Sequence, residues 1–207
     1  MLILAHRGYW GSNITKNSMP SFKKALKKGY GIETDIRDSD GVLVISHNIP
    51  TGNENNLEEL LYHYKSHGYN STLALNIKSD GLSEDLGLLI NKCGIENYFV
   101  FDMSIPDTIP YFTNKTNVYT RHSDIETTPL LYDQSSGIWL DMFFGDWVAE
   151  STINYHIESG KRVCVVSPEL HNRKYHNFWK KLKAMNLIGE IMICTDYPNE
   201  AERFFNE

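Results

Sequence analysis

Two acidic residues, Glu33 and Asp35, lie two positions apart within the β-rich run Gly31–Asp35. Residues two apart on a strand project from the same face, so the two carboxylates are predicted to lie side by side. Such carboxylates repel each other unless a cation lies between them, and a hard divalent ion with oxygen ligands suits the pair. The alternative is an ion-paired cluster with Arg37 or Lys78 and no metal.

Four more residues of catalytic type follow the ends of predicted strands near this pair. Arg7 and Lys78 carry positive charge, and His6 and His47 can exchange protons near neutral pH. A carboxylate pair together with two histidines, an arginine and a lysine suits metal-assisted phosphoryl chemistry.

The elements that must position these residues alternate between short apolar runs and amphipathic stretches along the whole chain, which predicts parallel strands covered by helices. Strands are predicted at Leu2–Ala5, Gly31–Asp35, Thr72–Asn76, Tyr98–Asp102, Asn117–Thr120, Gly137–Asp141, Arg162–Val166 and Glu190–Cys194. Helices are predicted at Met19–Lys28, Asn56–Lys65, Ser83–Lys92, Asp107–Asn114, Thr127–Asp133, Asp146–Ser159, Arg173–Met185 and Glu200–Phe205.

Eight such units in 207 residues predict a compact (β/α)8 TIM barrel, near the lower limit of roughly 200 residues for that fold. An open doubly wound sheet is the alternative, but the first strand lacks the Gly-rich phosphate turn typical of such sheets. A turn at Asp38–Gly41 predicts an extra returning strand, Val42–Ile45, just before His47. No linker or repeat interrupts the pattern, so residues 1–207 are predicted to form one domain.

Ala5-His6-Arg7-Gly8, Glu33-Thr34-Asp35, Asp40-Gly41 and His47 follow one another in a fixed order. This order resembles the signature of the glycerophosphodiester phosphodiesterase family, whose superfamily includes phosphatidylinositol phospholipase C and the sphingomyelinase D type of spider venom. The family pattern is H-R-G … E-N-T-x-x-A-F … E-x-D … D-G … H-D … E-x-K … T-D-x-P. The match runs through the first third of the chain to Lys78 and resumes at Thr195-Asp196-Tyr197-Pro198.

The resemblance implies a barrel of the PLC-like phosphodiesterase type, with His6 and His47 as general acid and base on either side of the phosphorus. It implies one divalent cation, Mg²⁺ or Ca²⁺, held by Glu33, Asp35 and the residue at position 76. It also implies that Arg7 and the lysine of the E-x-K motif, Lys78, neutralise the phosphate oxygens. In related enzymes a hydroxyl beside the phosphodiester attacks first and gives a cyclic phosphate.

The chain departs from the family pattern at four places. E-N-T is replaced by Lys16-Asn17-Ser18, H-D by His47-Asn48, and the glutamate of E-x-K by Asn76. An asparagine oxygen can coordinate Mg²⁺ or Ca²⁺ but adds no charge, so weaker metal affinity is expected. The fourth departure is a deletion. About ten residues, 48–56, replace the inserted segment that shapes the glycerol end of the family's pocket.

The composition of the chain limits which kinds of partner it binds and where in the cell it is expected. The formal charge of −6 argues against broad nucleic-acid binding, and no apolar run approaches the roughly 20 residues of a membrane span. Three widely spaced cysteines and the absence of a signal peptide predict a cytoplasmic protein. The resemblance implies a small-molecule phosphodiester as its partner. The competing hypothesis is a barrel that binds a phosphorylated ligand without turnover.

The other acidic residues and histidines are not assigned catalytic roles. Asp102, Asp141, Glu169 and Asp196 follow predicted strands and are expected at the mouth of a pocket. Six histidines on helices or loops are expected at the surface: His63, His67, His122, His156, His171 and His176.

Overall fold

The computed structural model describes residues 1–187, 189 and 191–206. The chain divides into two compact units. The N-terminal unit is Ala5–Val118, and the C-terminal unit combines Met1–Leu4 with Tyr119–Glu207. The single domain inferred from the sequence stays a prediction.

The N-terminal unit is built on a mixed sheet whose central strand carries the acidic pair. Its strands are β1 (Leu2–His6, of which the last two residues belong to this unit), β2 (Gly31–Ser39), β3 (Val42–Ile45), β4 (Asn55–Asn56), β5 (Leu73–Ile77) and β6 (Tyr98–Phe101). Its helices are α1 (Met19–Lys27), α2 (Leu57–Ser66), α3 (Ser83–Cys93) and α4 (Ile105–Thr113). The parallel pairs are β2 with β5 and β5 with β6, and β3 runs antiparallel to β2 and β4.

The C-terminal unit contains four parallel strands in sequence order. They are β7 (Tyr119–His122), β8 (Gly137–Leu140), β9 (Arg162–Val166) and β10 (Ile191–Thr195). Its helices are α5 (Glu150–Glu158), α6 (His176–Ala184) and α7 (Pro198–Asn206), with 3-10 turns at Tyr132–Gln134 and Pro168–His171. Glu190, where the last strand was expected to begin, lies outside the described residues.

The predicted strands and most predicted helices are confirmed, and α1 shows why. Ser18 caps the helix, because its hydroxyl oxygen accepts a hydrogen bond from the Ser21 amide. The Ser21 hydroxyl oxygen in turn accepts a hydrogen bond from the Ser18 amide. This reciprocal capping box satisfies amides that a helix start leaves without partners. The helix then buries Phe22, Ala25 and Leu26 on one face. No helix among the described residues is long and apolar enough to cross a membrane.

The helix predicted at Thr127–Asp133 is wrong. Leu131 adopts a left-handed conformation with φ of 53°, which an α-helix of L-residues cannot contain without strain. Only the 3-10 turn Tyr132–Gln134 forms there. Pro129, two residues earlier, removes a further backbone donor.

The turn that follows β1 depends on two residues with positive φ, Arg7 at 56° and Gly8 at 85°. A Cβ at Gly8 would lie 2.3 Å from Ser21 Oγ and 2.9 Å from the Ser21 carbonyl carbon. The H-R-G motif therefore needs glycine, because the backbone of α1 packs directly against this position.

Gly8→Ala is expected to destabilise the protein by about 2–4 kcal/mol, since it combines overpacking with a left-handed alanine. Gly29→Ala is the matched control: Gly29 has φ of 81° but nothing within 4 Å of its Cβ position. The control should lose only about 1 kcal/mol. Urea unfolding of both variants measures the difference, and equal losses would show that Ser21 moves away at no cost.

One histidine predicted at the surface is buried. His156, on α5, has no exposed surface. Its Nε2 lies 2.9 Å from Nδ1 of His122, and its Nδ1 lies 2.9 Å from the Tyr132 hydroxyl. Burial lowers the pKa of His156 from 6.5 to about 4 and also lowers the pKa of His122. Among the others, His67 and His176 are exposed as predicted, whereas His63 and His171 are half-buried.

The lowered pKa of His156 makes stability depend on pH. Between pH 6.5 and about 4, the unfolded chain binds a proton at this position that the folded chain does not, so stability falls as pH falls through that window. The full shift corresponds to at most about 3 kcal/mol. Unfolding of the native chain and of His156→Gln across this range should give a shallower decline in the variant. His67→Gln serves as the exposed control, and identical slopes in all three proteins would contradict the assignment.

Candidate active site

Strand β2 carries the two carboxylates on one buried face, as the spacing predicts. Glu33 is 2% exposed and Asp35 is fully buried. In the parallel pairing of β2 with β5, Asp35 lies opposite Asn76. The Asn76 amide donates to Glu33 Oε1 at 3.3 Å, which brings the three predicted metal ligands together.

Asp35 is surrounded by positive charge and donors. Its Oδ2 lies 3.0 Å from Arg7 Nε and accepts a hydrogen bond from Asn17 Nδ2 at 2.8 Å. Its Oδ1 lies 3.7 Å from Lys78 Nζ. A fully buried carboxylate is costly to desolvate, and these contacts offset the cost of burying Asp35.

Glu33 has fewer compensating contacts. Its Oε2 lies 3.8 Å from Nε2 of His6 and 3.3 Å from the Arg7 amide. Burial, with a smaller contribution from Asp35, raises the pKa of Glu33, and the charges of His6, Arg7 and Lys78 act in the opposite direction. A divalent cation beside Glu33 would oppose this rise in pKa, because it favours the charged carboxylate.

His47 lies in the connection after β3 and is exposed. The Ser46 amide, one residue earlier, donates to the Asp35 carbonyl at 3.0 Å, so the hairpin of β2 and β3 brings this connection to the acidic strand. His47 Nδ1 lies 3.0 Å from Asn48 Oδ1. An amide oxygen accepts only, so this contact places a proton on Nδ1, and in the neutral ring the lone pair is then on Nε2.

Lys78 lies between two carboxylates. Besides Asp35, its Nζ contacts Asp102 Oδ2 at 3.4 Å. Asp102 follows β6 with φ of 73°, a left-handed conformation that aspartate tolerates better than most residues. The structure therefore brings together all the predicted residues of the N-terminal unit except His47, for which the structure gives contacts to Asn48 and Arg37.

Asn17 is a site residue that the sequence analysis did not include. Besides its bond to Asp35, its Oδ1 accepts from the Thr34 hydroxyl at 2.9 Å. The signal was present in Lys16-Asn17-Ser18, the match to E-N-T, whose central asparagine is retained.

Three residues expected at a pocket mouth belong to the C-terminal unit, where the structure gives them specific partners. Asp141 pairs with His171 Nε2 at 2.6 Å. Glu169 accepts from the hydroxyls of Ser167 and Thr195 and from the Asp196 amide. Thr195 also accepts from the Tyr197 amide, so the T-D-x-P match contains the residues that join the end of β10 to α7.

The oxygen atoms around Glu33 fit a hard divalent cation. Asp35 Oδ1 and Asn76 Oδ1 are buried and accept no hydrogen bond from the described residues. Buried acceptors without donors are rare in native proteins, and a cation satisfies them. No group of three or more His, Cys, Asp or Glu residues suited to a metal occurs in the described part of the chain, so the third ligand would have to be the neutral Asn76.

Comparison with known proteins finds similarity both in sequence and in fold. The model of the glycerophosphoryl diester phosphodiesterase family matches residues 6–65. A Galdieria sulphuraria protein described as a candidate glycerophosphodiester phosphodiesterase is 19% identical, with a TM-score of 0.79 over 100% of this chain and 98% of that one. The glycerophosphodiester phosphodiesterase of Agrobacterium tumefaciens is 16% identical, with a TM-score of 0.76 over 100% and 99%.

A solved structure with lower sequence identity is also similar in fold. A Ca²⁺-dependent phosphatidylinositol-specific phospholipase C of Streptomyces antibioticus is 8% identical, with a TM-score of 0.62 over 99% of this chain and 95% of that one. No protein of curated function is significantly similar in sequence.

These structural likenesses confirm the predicted fold class, an α/β TIM barrel. The family model matches residues 6–65, and over that part of the chain it confirms the resemblance to the glycerophosphoryl diester phosphodiesterase family inferred from the sequence.

Asn76→Glu is expected to tighten Mn²⁺ or Mg²⁺ binding by about tenfold, because it adds a charged ligand. Without metal the variant should be less stable than the native chain, since three carboxylates would then share one buried face. Calorimetric titration and thermal unfolding with and without metal measure both effects. Asn91→Glu makes the same change at an exposed position. Unchanged affinity in Asn76→Glu would exclude residue 76 from the metal site.

Proposed function

We propose that the chain is a divalent-metal-dependent phosphoric diester hydrolase with His6 and His47 as its acid–base pair. Its substrate would be a glycerophosphodiester or a related sugar- or lipid-linked phosphodiester. The family match supports the hydrolase class. The observation that carries the proposal is the convergence of His6, Arg7 and Lys78 on the buried Glu33–Asp35 pair.

Glu33, Asp35 and Asn76 would hold Mg²⁺ or Ca²⁺, which supplies charge stabilisation for the phosphate oxygens. The Ca²⁺ dependence of the Streptomyces phospholipase supports a cation of this kind. Arg7 uses Nε for Asp35, so its terminal nitrogens would bind the phosphate as a fork. Lys78 would add a second positive charge.

The contacts of the two histidines differ, and this difference supports different roles. The Asn48 contact leaves a lone pair on His47 Nε2, so His47 would take the proton of the attacking hydroxyl. A protonated His6 can form an ion pair with Glu33, so His6 would donate its proton to the leaving oxygen. The attacking group would be water or a neighbouring substrate hydroxyl, which would give a cyclic phosphate. The three cysteines, with no disulfide spacing, favour a cytoplasmic setting.

His6→Ala and His47→Ala should each lower kcat/KM by about 10²–10⁴. Hydrolysis of a 4-nitrophenyl phosphodiester, first in EDTA and then with Mg²⁺, Ca²⁺ or Mn²⁺, measures the loss, and His67→Ala is the exposed control. Activity only with metal supports the proposal. Full activity in either variant would overturn the assignment of that histidine.

Two further outcomes are informative. Binding of phosphodiesters to folded protein without turnover under any metal would favour a binding barrel over a hydrolase. If turnover occurs, phosphorus NMR of the products separates hydrolysis from transfer that stops at a cyclic phosphate.

A further inference from the structure

We propose that Arg37 binds a second anionic group of the substrate, a carboxylate or a phosphate monoester on the alcohol that stays on phosphorus. The inference rests on the proposed function and narrows its substrate class. Arg37 lies on β2, two residues after Asp35, and position 37 is not part of the sequence pattern that this chain shares with the family. A side chain at this position can set a substrate preference without altering the shared motifs.

Strand β2 directs Arg37 to the face that carries the candidate site. The pairing of β2 with β5 and then with β3 continues without interruption from Ile32 to Ser39. Alternate residues of such a strand share a face, so Arg37 projects from the same side as Glu33 and Asp35. A strand rises about 3.3 Å per residue, which separates the Cα atoms of Asp35 and Arg37 by about 7 Å. Arg37 therefore lies next to the groups proposed to bind the phosphodiester.

One nitrogen of the Arg37 guanidinium has a hydrogen-bond partner, and the two terminal nitrogens have none among the described residues. Nε donates to the His47 carbonyl at 3.3 Å, which restricts the position of the group. The terminal nitrogens carry four of the five N–H donors of a guanidinium. Arg37 is half-buried, so its charge loses part of its hydration without gaining a counter-ion. An anion that binds both terminal nitrogens as a fork would compensate for this loss.

The acidic residues closest to Arg37 along the chain have other partners. Asp38, the next residue, projects from the opposite face of the strand and accepts from the Ser79 hydroxyl at 3.2 Å. Glu54 is the only acidic residue in the segment 48–56 after the hairpin. Its carboxylate accepts from two backbone amides and a hydroxyl of its own turn. These two carboxylates therefore do not neutralise Arg37, and an anionic group of the substrate can take that place.

The contact with His47 indicates which part of the substrate Arg37 would meet. In the proposed function His47 takes the proton of the attacking hydroxyl, and the attacking and leaving oxygens lie roughly in line on opposite sides of the phosphorus. The leaving alcohol would therefore lie on the side away from His47. An anion bound beside His47 would belong to the alcohol that stays on phosphorus. A neutral alcohol such as glycerol would leave the guanidinium without a counter-ion.

The test compares 4-nitrophenyl phosphodiesters whose second alcohol is glyceramide, glycerate or glycerol monophosphate. Each is joined through a primary hydroxyl, so that all three offer a neighbouring hydroxyl and differ mainly in charge. At a constant saturating concentration of free activating metal, the native chain should prefer the two anionic substrates by about tenfold in kcat/KM, a ratio that corresponds to one charge-assisted contact. Arg37→Gln should remove the preference and Arg37→Glu should invert it. Comparison of the glycerate and phosphate substrates identifies which anion the subsite prefers.

Lys65→Gln is the matched control. It removes one positive charge from the same unit, and Lys65 also donates to a backbone carbonyl, that of Gly94, at 2.7 Å. Lys65 is exposed on α2, and its replacement should leave the preference unchanged. No preference in the native chain, or the same loss of preference in Lys65→Gln, would overturn the subsite. An equal fall in kcat/KM on all three substrates in Arg37→Gln would also overturn it, because Arg37 would then act only by positioning His47.

Failure of the proposed function is distinguishable from failure of the subsite. If no substrate is turned over, calorimetry with the same three diesters measures the ratio of dissociation constants in place of kcat/KM. Tighter binding of the anionic diesters that depends on Arg37 would then support the subsite in a barrel without hydrolase activity. Equal binding of all three would overturn it.

Discussion

The buried pair Glu33 and Asp35 is the constraint on which the rest of the N-terminal unit depends. Two carboxylates with almost no exposure would be too costly to keep charged unless opposite charge or donors surrounded them. The chain supplies Arg7 from the end of β1, Asn17 from the start of α1 and Lys78 from the end of β5. The segments after β1, before α1 and after β5 are therefore held to β2 by polar contacts as well as by apolar packing.

Two residues with a strained backbone conformation belong to the charged cluster around this pair. Arg7 and Asp102 are non-glycine residues in the left-handed region, and each directly follows a strand and carries a charge to the acidic cluster. Such conformations cost of order 1–3 kcal/mol each and persist where surrounding structure determines them. Here the ion pairs of Arg7 with Asp35 and of Asp102 with Lys78 are part of that surrounding structure.

Features that depend on neighbouring residues could be predicted from the sequence, whereas contacts between distant parts of the chain could not. The shared face of Glu33 and Asp35 and the hairpin before His47 are local, so periodicity and turn residues predicted them. The contact between Asn17 and Asp35 depends on how α1 docks against β2, which no local pattern specifies. His156 was misjudged although it lies three residues after the buried Ile153, a spacing that places both on one helix face.

A neutral residue at position 76, where the family pattern has glutamate, changes the charge that the proposed site would present to a substrate. When ionised, Glu33, Asp35 and Asp102 carry three negative charges, against two positive charges on Arg7 and Lys78. A divalent cation would leave an excess of one positive charge, which matches a phosphodiester monoanion. A glutamate at position 76 would remove that excess, so Asn76 gives up metal affinity but leaves a site that attracts the diester.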